Sequence, residues 1–308
     1  MREWPAIRVG SVAAVGALTA SLACAARVQP IDATTVPAPD VRLPLQEGSA
    51  RFAVIGDAGT GGSAQYRVAA QLIAAHTVFP FEFVLMTGDN LYGSEDRSDY
   101  QEKFAIPYGP LLDAGVEFYA SLGNHDDDGQ VFYEPFNMGG ERFYSFTPKR
   151  GVRIFALDST YMSPEQLAWL EGELSASRSR WKVAFFHHPL YSAGRHGSDV
   201  KLRQELEPLF VEHAVSVVFV GHEHFYERLK PQKGVHYFTT GAAAKLRRGD
   251  IDRSTHFHAA GYDQGYHFML VEVVDDTLHF QAISDTGRTV DAGTIRRAST
   301  PRSVARTE

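Results

Sequence analysis

Three observations predict an α/β fold. Short β-rich apolar runs alternate with segments of helical period, in the order β-α-β-α-β, between Phe52 and Leu122. Several of these runs stop on a polar tip, above all Gly88-Asp89-Asn90-Leu91-Tyr92 after the run Phe81 to Met86. With 308 residues, 44% of them hydrophobic, the chain can bury a sizeable core in one large domain or two modest ones.

In chain order, residues 1–26 read as an export signal. Arg2 and Arg8 give a basic start, and Val9 to Ala26 is uncharged and rich in small residues. A membrane span is the alternative, because the run just reaches the usual lower length; its weak hydrophobicity favours the signal. Cys24 stands where a bacterial lipoprotein carries its lipidated cysteine, although Ser21 occupies a place where a branched apolar residue is usual. A cysteine discarded with the signal is the other reading, and both stay open. Residues 27–48 are Pro- and Ala-rich without periodicity and predict a spacer. The folded domain is expected over 49–296, followed by a flexible tail over 297–308.

Within the domain, Phe52 to Ile55 is a buried strand tipped by Gly56-Asp57, and Ser63 to His76 is the helix after it. Phe81 to Met86 is the second strand, Gln101 to Ala105 and Tyr108 to Ala114 are helical, and Val116 to Leu122 is the third strand. Arg142 to Thr147 and Val152 to Asp158 alternate like paired strands. Ser163 followed by Pro164 marks a helix start that runs to about Ser177. Val183 to Phe186 and Val215 to Val220 are strands around a helix at Val200 to His213. Further strands are expected at Val235–Thr239, Tyr266–Val274, Thr277–Ser284 and near Thr289–Ile295.

The net charge of −7 argues against a nucleic-acid binder, whose footprint is a basic stripe. A single cysteine excludes an intramolecular disulfide framework and any CxxC cluster, so a metal would be held by His, Asp, Asn and Tyr. Five strand tips offer such groups: Asp57; Asp89 with Tyr92; Asn124 with His125; His187; and His222 with His224. Singly each has a plain explanation, since Gly-Asp after a strand is ordinary turn chemistry and a lone histidine is more often structural. Together, each closing an apolar β-run, they form a constellation that an α/β sheet gathers at one edge. Carboxylates and a phenolate suit a trivalent or small divalent ion, whereas imidazole and amide oxygen suit zinc, iron(II) or manganese. Asp89, central in the order, is the candidate to bridge two ions.

The order GDAG, GDNLY, GNHD, HHP, GHEH resembles the calcineurin-like metallophosphoesterases, and the tyrosine of GDNLY narrows the resemblance to compact, tartrate-resistant purple acid phosphatases. It covers about Arg51 to Ile295 and includes HHPLYSAGRHG and the GA-rich loop at Gly241. The resemblance implies a four-layer α/β/β/α sandwich of two mixed sheets. It implies Fe(III) held by Asp57, Asp89, Tyr92 and His224, and a second divalent ion (Fe, Zn or Mn) held by Asp89, Asn124, His187 and His222. It implies further that His125 and His196 stand near the leaving group, with Asp126 orienting His125. The sequence does not decide whether a surface loop is clipped as in the mammalian-type relatives; the loop Ala242 to Asp252 is the place to look for it. His188 departs from those relatives, which carry an aromatic residue there, and is read as a neighbour of the fold.

The expected reaction is hydrolysis of phosphate monoesters: water activated by two ions attacks phosphorus, and His125 or His196 protonates the leaving oxygen. The alternatives are a phosphodiesterase or nucleotidase on the same core, or a non-catalytic metal-stabilised surface protein. Tyr191, Arg195, Tyr226 and Arg228 are candidates for a substrate-contacting rim. The expected partner is a small phosphate ester. No nucleic acid is expected, and membrane contact only through the N-terminal signal or a lipid. The protein is expected to be a monomer that is secreted, periplasmic or lipid-anchored.

Overall fold

Alternation along the strands builds the layers. In β1 (Ala50–Ile55), Phe52 and Val54 turn to one face and Ala53 and Ile55 to the other, and β2 (Phe83–Met86) repeats the division. The computed structural model describes residues 29–297; the export segment with Cys24 and the tail from residue 298 lie outside the described residues.

The first sheet adds β3 (Glu117–Ala120), parallel to β1 and β2, and the antiparallel strands β11 (His267–Val274), β12 (Thr277–Ser284) and β13 (Thr289–Arg296), in the order β13-β12-β11-β1-β2-β3. The second sheet holds β4 (Tyr144–Lys149), β5 (Val152–Ala156), β6 (Trp181–Phe185), β7 (Val217–Val220), β8 (Tyr226–Leu229), β9 (His236–Thr240) and β10 (His258–Tyr262). Its order is β10-β8-β9-β7-β6-β5-β4, with β5, β6, β7 and β9 parallel. Phe52, Phe83 and Leu85 from one sheet meet Ile154, Phe185, Phe219 and Phe238 from the other in a shared core, where the Phe52 and Phe83 rings stack at 5.0 Å.

Helices cover both outer faces. α1 (Ser63–Val78) buries Val68, Leu72 and Ala75, a helical stripe, against the first sheet. α2 (Arg97–Tyr100) and α3 (Ile106–Asp113) join through a widened turn at Gln101–Ala105, so the two helices expected there are one run. α4 (Pro164–Ala176) and α5 (Val200–Glu212) pack Leu170, Leu174, Leu206 and Phe210 on the second sheet. The Ser163 hydroxyl accepts from the Gln166 N–H and starts α4 as its sequence signals. The layers are α/β/β/α, as the resemblance implies.

β8 and β10 were not anticipated, and their composition explains why. β8 reads Tyr-Glu-Arg-Leu, and its charges are matched only by distant partners: Glu227 by His258 at 2.7 Å and Arg228 by Asp291 at 2.7 Å. From residue 29 to Gly48 the Pro/Ala-rich segment has neither helix nor strand, in keeping with its composition, yet it is fastened to β11 and β12. Leu45 and Gln46 donate backbone N–H to buried Glu272 at 2.7 and 2.6 Å, and Arg42 N–H donates to Gln281 at 2.8 Å.

Candidate metal centre

β1, β2, β3, β6 and β7 run toward the same edge, and their tips carry the residues singled out by the sequence. Asp57, Asp89 and His222 sit in the left-handed region, with φ of 56°, 51° and 68°. That conformation is uncommon without glycine and clusters at functional sites. It turns each side chain off its strand end into the space between the sheets' edges. Glycines allow the approach: a Cβ at Gly123 would lie 2.3 Å from Asp89 Oδ1, and one at Gly221 2.6 Å from Asp57 Oδ2.

The donor atoms form two cups that share one carboxylate. In the first, Tyr92 Oη lies 2.7 Å from Asp89 Oδ2, 3.0 Å from Asp57 Oδ1 and 3.5 Å from His224 Nε2, which is itself 3.3 Å from Asp57 Oδ1. In the second, His187 Nε2 lies 3.3 Å from Asp89 Oδ1, 3.1 Å from Asn124 Oδ1 and 3.2 Å from His222 Nδ1, and the last is 3.0 Å from Asn124 Oδ1. All seven predicted metal residues are therefore brought together, and Asp89 faces both groups.

This donor set fits cations better than protons. His187 Nδ1 lies 2.9 Å from the Thr87 carbonyl, so its N–H is committed there and Nε2 presents a lone pair to the second cup. Lone pairs then confront lone pairs at hydrogen-bond distance with too few hydrogens between them. Burial, followed by the adjacent Asp89, pushes the Asp57 carboxyl well above its ordinary range, and Tyr92 is likewise pushed up by burial and by both carboxylates. Burial and the neighbouring His187 hold His222 down at about 2; burial and Arg247 hold His224 at about 4. His222 and His224 thus stay neutral and ligating while the anionic forms of Asp57 and Tyr92 are disfavoured, which is the condition a pair of cations relieves.

Around the cups, His125 packs its ring 4.9 Å from Tyr92 and His196 packs 4.4 Å from His222, so the two exposed imidazoles flank opposite sides. Asp126 does not reach the His125 ring. It accepts instead from the N–H of Gly123 at 2.8 Å, of Leu91 at 3.0 Å and from Gln130 Nε2 at 2.8 Å, tying the Asp89 loop to the Asn124 loop. Burial and Asp89 raise it to about 8. His188 receives the Ser159 hydroxyl at Nδ1 (3.0 Å) and lies 4.6 Å from the His222 ring, closer to the site than a mere neighbour of the fold.

Sequence reasoning missed several supports. The Thr87 carbonyl, just before GDNLY, and the Asn90 amide within it, bonded to Ser121 O at 2.8 Å, carry no ligand chemistry of their own. Lys245 places Nζ 4.2 Å from the Tyr92 ring, a charge whose position nothing local announces. The proposed rim fares worse. Tyr226 is buried and donates to Asp291 at 2.7 Å, Arg228 pairs with the same carboxylate, and Tyr191 is tied to Glu207; of the four, Arg195 alone is exposed, beside Asp250. The loop Ala242 to Asp252 is pinned, with Arg247 N–H on His224 O at 3.0 Å and Asp252 N–H on Ala193 O at 2.8 Å. A cavity of about 710 Å³ opens beside Asn124, His125, Asp127 and Tyr161.

A model of the calcineurin-like phosphoesterase family matches residues 50–226. Purple acid phosphatase 17 of Arabidopsis thaliana is 30% identical over 247 residues, covering 68% of this chain and 72% of that protein. Human tartrate-resistant acid phosphatase type 5 is 25% identical over 303 residues, covering 82% and 92%. Among solved structures, a purple acid phosphatase from yellow lupin seeds superposes with a TM-score of 0.68 at 19% identity, covering 83% of this chain and 55% of that one. GAP50 of Plasmodium gives 0.71 at 15% identity, covering 83% and 91%. At these identities the two structures share the fold.

Proposed function

We propose a two-cation hydrolysis of phosphate monoesters for this chain, which belongs to the calcineurin-like phosphoesterase family and, within it, to the purple acid phosphatases. It is a phosphoester hydrolase of the acid phosphatase type with a dinuclear metal centre. The observation that carries the assignment of residues is the division of Asp89, one oxygen to each cup. Asp57, Tyr92 and His224 with Asp89 would hold Fe(III), and Asp89 with Asn124, His187 and His222 would hold a divalent Fe, Zn or Mn. A phenolate and two carboxylates favour the harder ion, and imidazoles with an amide oxygen favour the softer.

When bound, the ions neutralise phosphate oxygens and make water nucleophilic below neutral pH. The chain's own groups do the rest. Asp89 would serve both ions, one oxygen to each cup, and the His187 N–H on Thr87 O fixes the orientation of its ring. Asp126 holds the two ligand loops in register. His125 and His196 each keep a ring N–H for the oxygen that leaves phosphorus, from opposite sides of the centre. The substrate is a small phosphate ester, met outside the cytoplasm by a monomer that residues 1–26 export.

The test is turnover of an aryl phosphate monoester against the matching diester from acid to neutral pH, on iron-loaded protein lacking residues 1–26. The monoester is expected to be preferred on the acid side, and Asp89→Ala to lose both metals and at least about a thousandfold in turnover, roughly 4 kcal/mol of barrier. A diester preference peaking near neutrality would place the chain with phosphodiesterases instead. Full metal content in Asp89→Ala would refute the bridge.

A further inference from the structure

Glu223 sits between two predicted ligands, His222 and His224, yet its carboxylate takes no part in either cup. It is fully buried, at 0% exposure. One oxygen, Oε1, accepts from Ser192 Oγ at 2.9 Å and from the backbone N–H groups of His196 at 3.0 Å and Gly197 at 3.1 Å. Gly194 lets the loop close over it, since a Cβ there would lie 2.5 Å from Glu223 Cδ and 2.5 Å from the Phe225 ring. The segment Ser192–Gly197 is wrapped around one carboxylate oxygen.

The start of that loop has other fastenings. Ala193 donates to Glu227 at 3.1 Å and accepts from Asp252 N–H at 2.8 Å, and Ser192 N–H reaches Ser198 Oγ at 3.1 Å. At His196 the backbone hydrogen bond goes to Glu223. The other oxygen, Oε2, has no hydrogen bond, and Arg247 Nη1 stands 3.8 Å away. A connection between two strands does not need a buried, half-satisfied carboxyl group, and such a group is costly unless its acceptor oxygen holds something in place. Here the bonds accepted by Oε1 tie the donor loop to the residue between two ligands.

We propose that Glu223 is a positioning residue: it fixes the His196 backbone so that the imidazole stands over the second cup, and so sets how well the enzyme expels a poor leaving group. This rests on His196 delivering a ring proton to the departing oxygen as the P–O bond breaks. Displacing a proton donor by about 1 Å removes on the order of a hundredfold where the proton is needed, and little where the leaving group departs as a stable anion.

The test compares kcat/KM for glycerol phosphate, whose alkoxide needs a proton, with that for dinitrophenyl phosphate, whose phenolate does not. Both are measured in the metal-loaded wild type, Glu223→Asp, Glu223→Gln and His196→Ala. The ratio of the two is independent of the fraction of active protein, so partial misfolding does not blur it. Glu223→Asp, which withdraws the carboxylate by one methylene, should lower the ratio about tenfold or more with metal content unchanged. Glu223→Gln, whose amide oxygen still accepts from the loop, should restore most of it. An unchanged ratio in Glu223→Asp, or equal losses on both substrates, overturns the proposal. An unchanged ratio in His196→Ala instead overturns the donor assignment on which the proposal rests.

Discussion

The two ends of the sandwich use glycine for opposite reasons. At the ligand end, Gly123, Gly221 and Gly241 are required by crowding: a Cβ would meet Asp89, Asp57 or Glu223 at under 3 Å. At the far end, where Lys149, Arg150, Arg180 and Trp181 line a cavity of about 820 Å³, Gly151 has a φ of 91° and nothing closer than Arg180 Cβ at 4.0 Å. Gly151 serves a turn, whereas Gly221 makes room for chemistry. The left-handed residues divide in the same way: at the ligand end Asp57, Asp89 and His222 accept a backbone cost in order to aim a donor atom.

That contrast breaks most sharply at Gly221→Ala. The added methyl presses on Asp57 Oδ2 and the Thr87 carbonyl, so a stability loss of about 1–3 kcal/mol is expected, with weakened metal retention. Metal analysis after gel filtration checks it, and an alanine variant that keeps both ions and full turnover would contradict the crowding argument. His267 then asks whether acid sensitivity belongs to the ligand end. Burial holds this imidazole at about 3, its Nε2 on the Thr240 hydroxyl at 3.0 Å. Its folded pKa lies below the unfolded value of about 6.5, so its contribution is complete above about 6.5 and is lost as pH falls toward 3. Between pH 7.5 and 5 that loss amounts to about 2 kcal/mol. Urea unfolding at the two pH values should show the wild type losing about that much more than His267→Gln. An identical pH dependence in the two proteins would remove His267 as the cause. The smallest effect is at the far end: Gly151→Ala should cost about 1 kcal/mol through its left-handed backbone and leave metal content and turnover untouched.

Much of the centre was legible because its signals are local. A β-run ending in Gly-Asp or Asn-His can be read without knowing its neighbours, and all seven proposed ligands were found that way. The division of Asp89 between two cups follows from its central place in that series. The residues read wrongly or not at all depend on partners far along the chain. Tyr226 and Arg228 looked like rim residues until Asp291, some sixty positions on, was seen to hold both. Glu223, inside GHEH, was not singled out, because its bonds go to the loop Ser192–Gly197 some thirty positions earlier. Asp126 appeared to serve its neighbour His125, whereas it binds the backbone of a loop that precedes it by 35 positions.

What the sequence by itself determined is the series of strands, the helices between them and the kind of atom each strand offers at its tip. These follow from side-chain periodicity and residue chemistry, which act within a few positions. Only the tertiary structure decided which oxygen of Asp89 faces which partners, which carboxylates brace loops instead of ligating, and where the charges of β8 go. Those outcomes depend on strand order across two sheets and on burial. Both arise from contacts between distant segments, and no local pattern carries them.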